Sequence, residues 1–183
     1  QRPSHPFFAT VYDPATAFIE RTLFAPHRKH LVVGLDGAVL DLGAGTGAMF
    51  PYFAAIANES TAFHAIEPDP HMRRQAEAEA RAHSLDIDID DARAESLPYD
   101  NDTFDAVVAS MVFCTIPDVR TALSEVSRVL KPGGEFRFFE HVADDGWRGR
   151  VQTALAPLWK RLAGGDYRRW RTQVTTPVYE GSL

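Results

Sequence analysis

Residues 39–47 are Val39-Leu40-Asp41-Leu42-Gly43-Ala44-Gly45-Thr46-Gly47. An apolar run containing one acid passes into a loop with glycine at every second position, and an amphipathic segment follows over residues 48–57. This order predicts a strand, a glycine loop and a helix. Glycine lets the backbone turn sharply and lets a ligand lie against bare amide groups, so the loop predicts a ligand site.

Two kinds of ligand fit this loop. Gly43, Gly45 and Ala48 match the dinucleotide pattern G-x-G-x-x-G/A, with Glu67 downstream to hold a ribose. Asp41 favours a different ligand, because a carboxylate at the strand end would repel a pyrophosphate and attract the ammonium and sulfonium of S-adenosylmethionine. At ~5 Å and an effective dielectric constant of ~20, one such pair is worth roughly 3 kcal/mol before desolvation.

Composition excludes several classes of function. The formal net charge is -6 and no basic block occurs, so we expect no nucleic-acid binding. Cys114 is the sole cysteine and the histidines are scattered, so we expect neither an internal disulfide nor a metal site. No apolar run approaches the ~20 residues of a membrane span, and the first residues do not resemble a signal peptide. We therefore expect a cytoplasmic protein.

The chain alternates between strand and helix patterns. Aspartates at positions 69 and 118 stand where helix N-caps are expected, and Pro70 follows the first of them. Residues 85–90 alternate between apolar and acidic side chains, which indicates a strand near a sheet edge rather than a metal site. The predicted strands are residues 61–66, 85–90, 104–109 and 135–142, and the predicted helices are residues 26–35, 71–83, 118–130 and 147–162. This order predicts an α/β fold, doubly wound around a mostly parallel sheet.

Five segments together resemble class I S-adenosylmethionine-dependent methyltransferases of the type 11 group. They are Asp41–Gly47, Ala65–Asp69, Ala94–Tyr99, Asp102–Asp105 and Arg128–Gly134. Residues 105–116, 139–142 and 159–162 are similar to the branch that includes alkyl-thiol methyltransferases. The resemblance implies a Rossmann-like, seven-stranded sheet in a single domain over residues 1–183. Residues 1–37 would form a helical lead-in or lid, residues 38–142 the cofactor-binding core, and residues 143–183 the substrate-side helix and tail.

The resemblance also implies a set of residues that bind S-adenosylmethionine and its product S-adenosylhomocysteine. Asp41 would orient the amino group, Glu67 would accept from the ribose hydroxyls, and Ser110 would lie beside the methionine. The remaining candidates border the donor: Gly43, Ala44, Gly45, Gly47, Pro68, Met72, Ala94 and Glu95. Two features depart from the family pattern: Arg93 stands where an acid is usual, and the residues after Gly165 do not match.

Three residues are candidates for the chemical step. Glu140 and His141 lie at the end of the predicted strand over residues 135–142, and His141 is suited to take a proton near neutral pH. Both are equally well explained as polar residues that only support the site. Tyr12 has a ring and a hydroxyl that suit a sulfonium. Cys114 is better explained as a small buried side chain than as a nucleophile.

The predicted reaction is methyl transfer to a small-molecule thiol, amine or hydroxyl. A lipophilic acceptor is favoured by apolar side chains in the flanking segments: Phe7, Phe8, Met111, Phe113, Trp147 and Trp159. The basic helix over residues 147–161 packs on the sheet or lies on a membrane surface. The alternatives are an NAD-dependent oxidoreductase and a non-catalytic protein that binds S-adenosylmethionine. The sequence predicts no oligomeric state.

Overall fold

The computed structural model describes residues 24–140. Residues 1–23 and 141–183 lie outside that range, so the predicted division of residues 1–183 remains a prediction. The described helices are α1 Ala25–Val32, α2 Phe50–Ile56, α3 Pro70–Ala82 and α4 Val119–Val129. The described strands are β1 Ala38–Leu42, β2 Ala62–Ile66, β3 Ile87–Asp90, β4 Phe104–Ser110 and β5 Leu130–Phe139.

The five strands form one sheet in the order β3-β2-β1-β4-β5, and every neighbouring pair is parallel. β1 pairs with β2 through Asp41 and Ala65, and with β4 through Asp41 and Val108. The predicted parallel α/β fold is therefore confirmed. The chain order reverses direction at β1, which leaves a crevice between the loops that follow β1 and β4.

Apolar side chains cover both faces of the sheet because neighbouring residues of a strand point to opposite sides. Val39 belongs to one core cluster, together with side chains from α1, α2 and α3. Leu40 and Leu42 belong to a second cluster, built largely from β4 and α4. Asp41 is fully enclosed between these layers, with 1% of its surface exposed.

Both predicted aspartate caps are present. Asp69 Oδ1 accepts from the N–H groups of His71 and Met72 at 2.7 and 3.2 Å, which starts α3. Asp118 Oδ1 accepts from Thr121 N–H at 3.2 Å, which starts α4. Each carboxylate satisfies N–H groups that the first helical turn leaves without a partner.

The last described strand differs from its predicted bounds. β5 begins at Leu130, directly after α4, rather than at residue 135. Between the pairs Phe104↔Leu130 and Ala106↔Glu135, β4 advances by two residues and β5 by five. The extra length is a bulge in which Gly133 has a φ of +81°, a conformation that glycine adopts without strain.

Candidate functional site

The glycine loop lies at the carboxyl edge of the sheet, where β1, β2, β4 and β5 all end. Ligands of open α/β sheets bind outside this edge, at the point where the strand order reverses. Here that point is the gap between the loop after β1 and the loop after β4. The sequence-predicted cofactor residues Asp41, Gly45, Glu67 and Ser110 all lie on the elements around this gap.

Two glycines of the loop meet different surroundings. A Cβ atom on Gly43 would stand 2.3 Å from Val112 Cγ2, so Gly43 lets the loops after β1 and β4 pack together. A Cβ atom on Gly45 would meet no atom of the described residues within 4 Å. Both residues have positive φ angles, +80° and +58°. The loop is therefore closely packed at Gly43 and open at Gly45.

Two further loop residues bind the loop to its neighbours. The Ala44 N–H donates to Ile66 O at 2.9 Å, and the Ala44 side chain is buried. A Cβ atom on Gly47 would stand 3.2 Å from Ala76 Cα, so Gly47 allows α3 to approach closely. Ala44 and Gly47 thus fix the loop against β2 and α3.

Glu67 joins the end of β2 to the glycine loop. Its Oε2 accepts from Gly45 N–H and its Oε1 accepts from Asp69 N–H, both at 2.8 Å. Burial raises the pKa of Glu67 to about 7, although these two N–H groups act in the opposite direction. An ionised carboxylate has about four acceptor positions. Two bonds therefore leave it able to accept from a ligand hydroxyl as well.

Asp41 is a buried carboxyl with an incomplete set of partners. Within residues 24–140, its Oδ2 has no hydrogen-bond partner. Burial raises the pKa of Asp41 to about 7, the charge of Arg28 lowers it and the charge of Glu67 raises it. A buried acceptor without a donor costs about 1–3 kcal/mol. Such an atom is typical of a site that receives a donor from a ligand.

Arg28, which is not among the residues predicted from the sequence, lies at the same site. This α1 residue is buried, with 4% of its surface exposed, and its Nε donates to Ser110 Oγ at 3.1 Å. The spacing of residues in the predicted helix could have identified Arg28. Leu31, Val32 and Leu35 form the apolar face of the predicted helix, and Arg28 precedes Leu31 by one turn.

α1 is attached to the far strand of the described sheet. Arg137 of β5 donates from Nη1 to Leu31 O at 3.1 Å and to Val33 O at 2.7 Å. The His27 ring stacks on Phe139 with ring centroids 4.8 Å apart. These contacts at both ends of the helix hold Arg28 over the ends of β1 and β4.

The predicted adenine-side residues differ in burial. Pro68, on the turn after Glu67, and Met72, in the first turn of α3, are half-buried, whereas the Ala94 methyl group is buried in the core. Glu95 Oε2 lies 3.6 Å from Nε of Arg93, the residue that departs from the family pattern.

Asp91, two residues before Arg93, is also paired. Its Oδ1 lies 3.3 Å from Nη1 of Arg73, which also donates to Glu67 O at 2.6 Å. Arg73 therefore connects the β2 and β3 ends of the crevice.

Glu140 is bound to the backbone of the loop after β4. Its Oε1 accepts from Val112 N–H at 2.7 Å and from Phe113 N–H at 3.0 Å. Burial raises the pKa of Glu140 to about 7. Burial, together with the charge of Glu140, also raises the pKa of the Cys114 thiol to about 11. A thiol with that pKa is almost entirely protonated near neutral pH, so it is a poor nucleophile.

Several candidates fall outside the described residues. His141 and Tyr12 do so, as do Phe7, Phe8, Trp147 and Trp159. Within residues 24–140, no three His, Cys, Asp or Glu side chains converge as metal ligands. In the same range, no helix has both the length and the apolar character that crossing a membrane requires.

A cavity of about 270 Å³ lies at the opposite, amino edge of the sheet. Two of its charged lining residues, Lys131 and Asp105, are paired with each other at 2.7 Å, and Asp105 also accepts from Ala38 N–H. The glycine loop and Glu67 are not part of this cavity. The cavity is therefore separate from the candidate site.

Comparison with known protein families identifies the family of this chain. Residues 40–138 match the model of the methyltransferase domain. The chain belongs to this methyltransferase family. The matched range contains every cofactor candidate named above, from Asp41 to Ser110. Arg28 and Glu140 lie outside it, on either side.

Curated relatives agree with the assignment to the methyltransferase family, and a solved structure shares the fold. The chain is 31% identical to human thiol S-methyltransferase TMT1B, over 73% of this chain and 57% of that protein. It is 38% identical to sarcosine/dimethylglycine N-methyltransferase of Halorhodospira halochloris, over 67% of this chain and 44% of that one. The fold is similar to that of a methyltransferase from Aquifex aeolicus, with a TM-score of 0.65, 17% identity and coverage of 86% and 87%. The chain thus spans about half the length of these curated methyltransferases.

Proposed function

We propose that this protein transfers a methyl group from S-adenosylmethionine to a small-molecule acceptor, with a lipophilic acceptor favoured. One observation carries the proposal: Asp41, buried two residues before the first glycine of the loop, has an oxygen without a donor among the described residues. A ligand ammonium would supply that donor. The nearby Arg28 and Glu67 give the site charges of both signs, as a zwitterionic ligand requires.

The residues at the crevice fit the parts of this donor. Asp41 would accept from its ammonium group and Glu67 from its ribose hydroxyls. Gly45, which faces open space, would let the ligand lie against the loop backbone, and Gly43, Ala44 and Gly47 would hold the loop in shape. Pro68 and Met72 would border the adenine, together with the backbone at Ala94 and Glu95.

When bound, S-adenosylmethionine supplies an electrophilic methyl group together with its leaving group. The protein then has to orient the two partners and exclude water. Orientation alone lowers a barrier by ~7–11 kcal/mol in favourable cases. No covalent intermediate on the protein is part of this proposal.

The proton on the acceptor is handled according to the acceptor's chemistry. A thiol is already partly ionised near neutral pH and needs little help from a base. An amine or hydroxyl would need one, and His141 is the residue we propose for that role. Glu140 accepts two backbone N–H bonds through Oε1, which supports a role in positioning the loop after β4. Tyr12 remains our candidate for contact with the sulfonium.

Thiols are the first acceptors to test, because human TMT1B is a thiol S-methyltransferase, and amines follow. The apolar residues Met111 and Phe113 on the loop after β4 support lipophilic members of both classes. Aliphatic thiols of increasing chain length are expected to improve as substrates with each added methylene. Each methylene buried is worth about 0.8 kcal/mol.

Calorimetric titration of the full chain with S-adenosylmethionine, S-adenosylhomocysteine and NAD is the primary test. We expect micromolar binding of the first two and none of NAD. Asp41→Asn is expected to weaken binding of the donor at least tenfold, while Asp86→Asn, the same change at an exposed carboxylate, leaves it unchanged. Binding of NAD alone would overturn the proposal.

Transfer itself is then measured with radiolabelled donor and a thiol. Loss of turnover in His141→Ala with donor binding intact would support catalysis. A protein that binds the donor but methylates no thiol, amine or hydroxyl would be a non-catalytic binding protein.

A further inference from the structure

The first turn of α3 places a cation against the backbone of Glu67. Arg73 donates from Nη1 to Glu67 O at 2.6 Å, and the same nitrogen lies 3.3 Å from Asp91 Oδ1. Only 19% of the Arg73 side chain is exposed. One guanidinium therefore joins the residue that follows β2 to the residue that follows β3, at the edge of the sheet where the candidate site lies.

The next arginine of the same helix has different surroundings. Arg74 is exposed, and its Nη2 lies 2.8 Å from Nδ1 of His71, one turn earlier on α3. Removing a guanidinium from water is costly unless its charge and its donors are used. The position of Arg73 at the crevice therefore indicates that its charge has a use there, and Arg74 provides a matched comparison.

The charge of Glu67 determines how many ligand hydroxyls the carboxyl group can accept from. Its two oxygens already accept one N–H bond each, from Gly45 and from Asp69. An ionised carboxylate has about four acceptor positions and no donor, whereas a protonated carboxyl gives up an acceptor position to its own O–H group. A carboxyl group that accepts from both hydroxyls of a ribose must therefore stay ionised.

Charged groups face Glu67 from the elements packed around it. They are Asp41 of β1, Asp69 of the turn before α3, Arg73 of α3 and, through its pair with Arg73, Asp91 after β3. Burial raises the pKa of Glu67 and the charge of Asp69 adds to that effect, whereas the charge of Arg73 lowers the pKa. Of these four groups, Arg73 is the cation.

We propose that Arg73 is a positioning residue for the methyl donor, which fixes the backbone of Glu67 and supplies the positive charge that keeps its carboxylate able to accept from both ribose hydroxyls. This inference rests on the proposed function, since it assumes that the ribose of S-adenosylmethionine binds at Glu67. Arg73 acts through Glu67 and does not itself touch the donor. The alternative is that Arg73 only attaches α3 to the end of β3.

Two substitutions of Arg73 separate its charge from its hydrogen bond. Arg73→Gln keeps an N–H donor for Glu67 O and removes the charge, whereas Arg73→Lys keeps the charge and loses the planar fork of N–H groups. Carbon NMR of labelled glutamate carboxyl groups measures the pKa of Glu67 in the full chain without donor, and Glu67→Gln assigns the resonance. We expect this pKa to rise by about one in Arg73→Gln and to change by less than about 0.3 in Arg73→Lys.

Ligand binding should change in parallel with the ionisation of Glu67. Calorimetric titration with S-adenosylhomocysteine, which has the same ribose, compares each variant with the original protein at pH 7 and pH 9. If the pKa rises from about 7 to about 8, the ionised fraction at pH 7 falls from about one half to about one tenth. Arg73→Gln should therefore bind about fivefold more weakly at pH 7 and within about twofold at pH 9, and Arg73→Lys within about twofold at both.

Arg74→Gln is the matched control, because it makes the same change at the next residue, on the exposed side of α3. It should leave both the pKa of Glu67 and ligand binding unchanged. Thermal melts check that each variant is folded. Where Arg73→Gln does not fold, Arg73→Lys still tests the inference, since a loss of binding of more than about tenfold in folded Arg73→Lys would overturn it.

The outcomes distinguish this inference from the proposed function. An unchanged pKa of Glu67 in folded Arg73→Gln would overturn the role of Arg73 and leave the proposed donor intact. A loss of binding that is equal at pH 7 and pH 9 would do the same, because attachment of α3 to β3 does not depend on the ionisation of Glu67. If the original protein binds neither S-adenosylmethionine nor S-adenosylhomocysteine, the proposed function itself fails, whatever the pKa of Glu67.

Discussion

The Gly45 N–H donates to Glu67 Oε2 across 2.8 Å, so the turn after β1 is bonded directly to the residue that follows β2. The other oxygen of Glu67 accepts from Asp69 N–H, and Asp69 in turn caps α3. One carboxylate therefore connects the glycine loop to the start of a helix. The shape of the loop depends on Glu67 before any ligand arrives.

Glu67→Ala is expected to affect both stability and binding. It leaves two N–H groups without this acceptor, and each unsatisfied buried group costs about 1–3 kcal/mol. We expect the free energy of unfolding to fall by about 2 kcal/mol and binding of S-adenosylmethionine to fall more than 100-fold. Urea unfolding and calorimetry measure the two effects.

Glu79→Ala is the matched control for this change. Glu79 lies on α3 and pairs with His83 at 3.1 Å near the surface, where an ion pair contributes about 0–1 kcal/mol. This variant should bind the donor as the original protein does. Binding by Glu67→Ala within threefold of the original would contradict the role given to Glu67.

Asp41 makes stability depend on pH in a defined direction. Burial raises its pKa from 3.8 to about 7, so between these values the folded protein holds a proton that the unfolded chain releases. Linkage then lowers the free energy of unfolding as pH rises from about 4 to about 7, by roughly 4 kcal/mol for a difference of about three pKa units. The stabilisation is complete below the unfolded pKa and is lost as pH rises through the folded value.

Asp41→Asn should remove most of this dependence. Urea unfolding at pH 5 and pH 8 measures it, and the loss of stability between these values should be smaller in the variant. Glu67 and Glu140 also have raised pKa values and keep part of the same trend. Asp86→Asn should behave as the original protein does. An unchanged difference in Asp41→Asn would show that Asp41 is ionised in the folded state throughout this range.

Alanine at Gly43 and at Gly45 should have different effects. At Gly43 the new Cβ would stand 2.3 Å from Val112 Cγ2, and overpacking of this kind costs about 1–3 kcal/mol in addition to backbone strain of about 1–2 kcal/mol. At Gly45 only the strain remains, but the methyl group projects into the open side of the loop. Gly43→Ala should therefore be the less stable variant, and Gly45→Ala should lose donor binding with less loss of stability.

Val112→Ala combined with Gly43→Ala tests the cause of that difference. Removing the methyl group that clashes should restore at least about 1 kcal/mol of the stability lost in Gly43→Ala. Thermal unfolding of both single variants and the double variant forms the cycle. Strictly additive losses would assign the effect of Gly43→Ala to backbone strain alone.

Glu140 is expected to act through the loop after β4. Glu140→Gln keeps a carbonyl oxygen for the N–H groups of Val112 and Phe113, whereas Glu140→Ala removes the acceptor. We expect the turnover of Glu140→Gln to stay within about threefold of the original. Glu140→Ala should lose at least tenfold in turnover, and its free energy of unfolding should fall by about 1–3 kcal/mol. Complete loss of turnover in a stable Glu140→Gln variant would instead identify Glu140 as a base.

Local chemistry made much of this fold predictable. Asp69 with Pro70, and Asp118, start their helices because a short acidic side chain reaches back to the first free N–H groups. The buried face of α4 was harder to predict. Leu123 is 40% exposed while Ala122 is fully buried, because the helix presents positions 119, 122, 126 and 129 to the sheet. Leucine is the more hydrophobic of the two residues, but the packing register of α4 buries the alanine instead.

The contacts that shape the candidate site are mostly distant in sequence. Arg28 meets Ser110 across 82 residues and Arg137 meets Leu31 O across 106. No periodicity within one segment specifies which strand ends beside a given helix. The glycine loop and Glu67 were recognisable because their pattern is local, whereas Arg28 required the assembled sheet.

The strand order also determines when this site comes into being during synthesis. β1 pairs with β2, the next strand in the chain, but its other neighbour is β4, and Ala38 bonds to Asp105 across 67 residues. Pairings between residues so far apart in sequence form late, because closing the long intervening loop costs conformational entropy. Arg28 on α1 can bond to Ser110 only after β4 has been synthesised. A nascent chain therefore contains the glycine loop long before its pocket is complete. Ligand binding by ribosome-bound nascent chains would indicate that β4 has paired with β1.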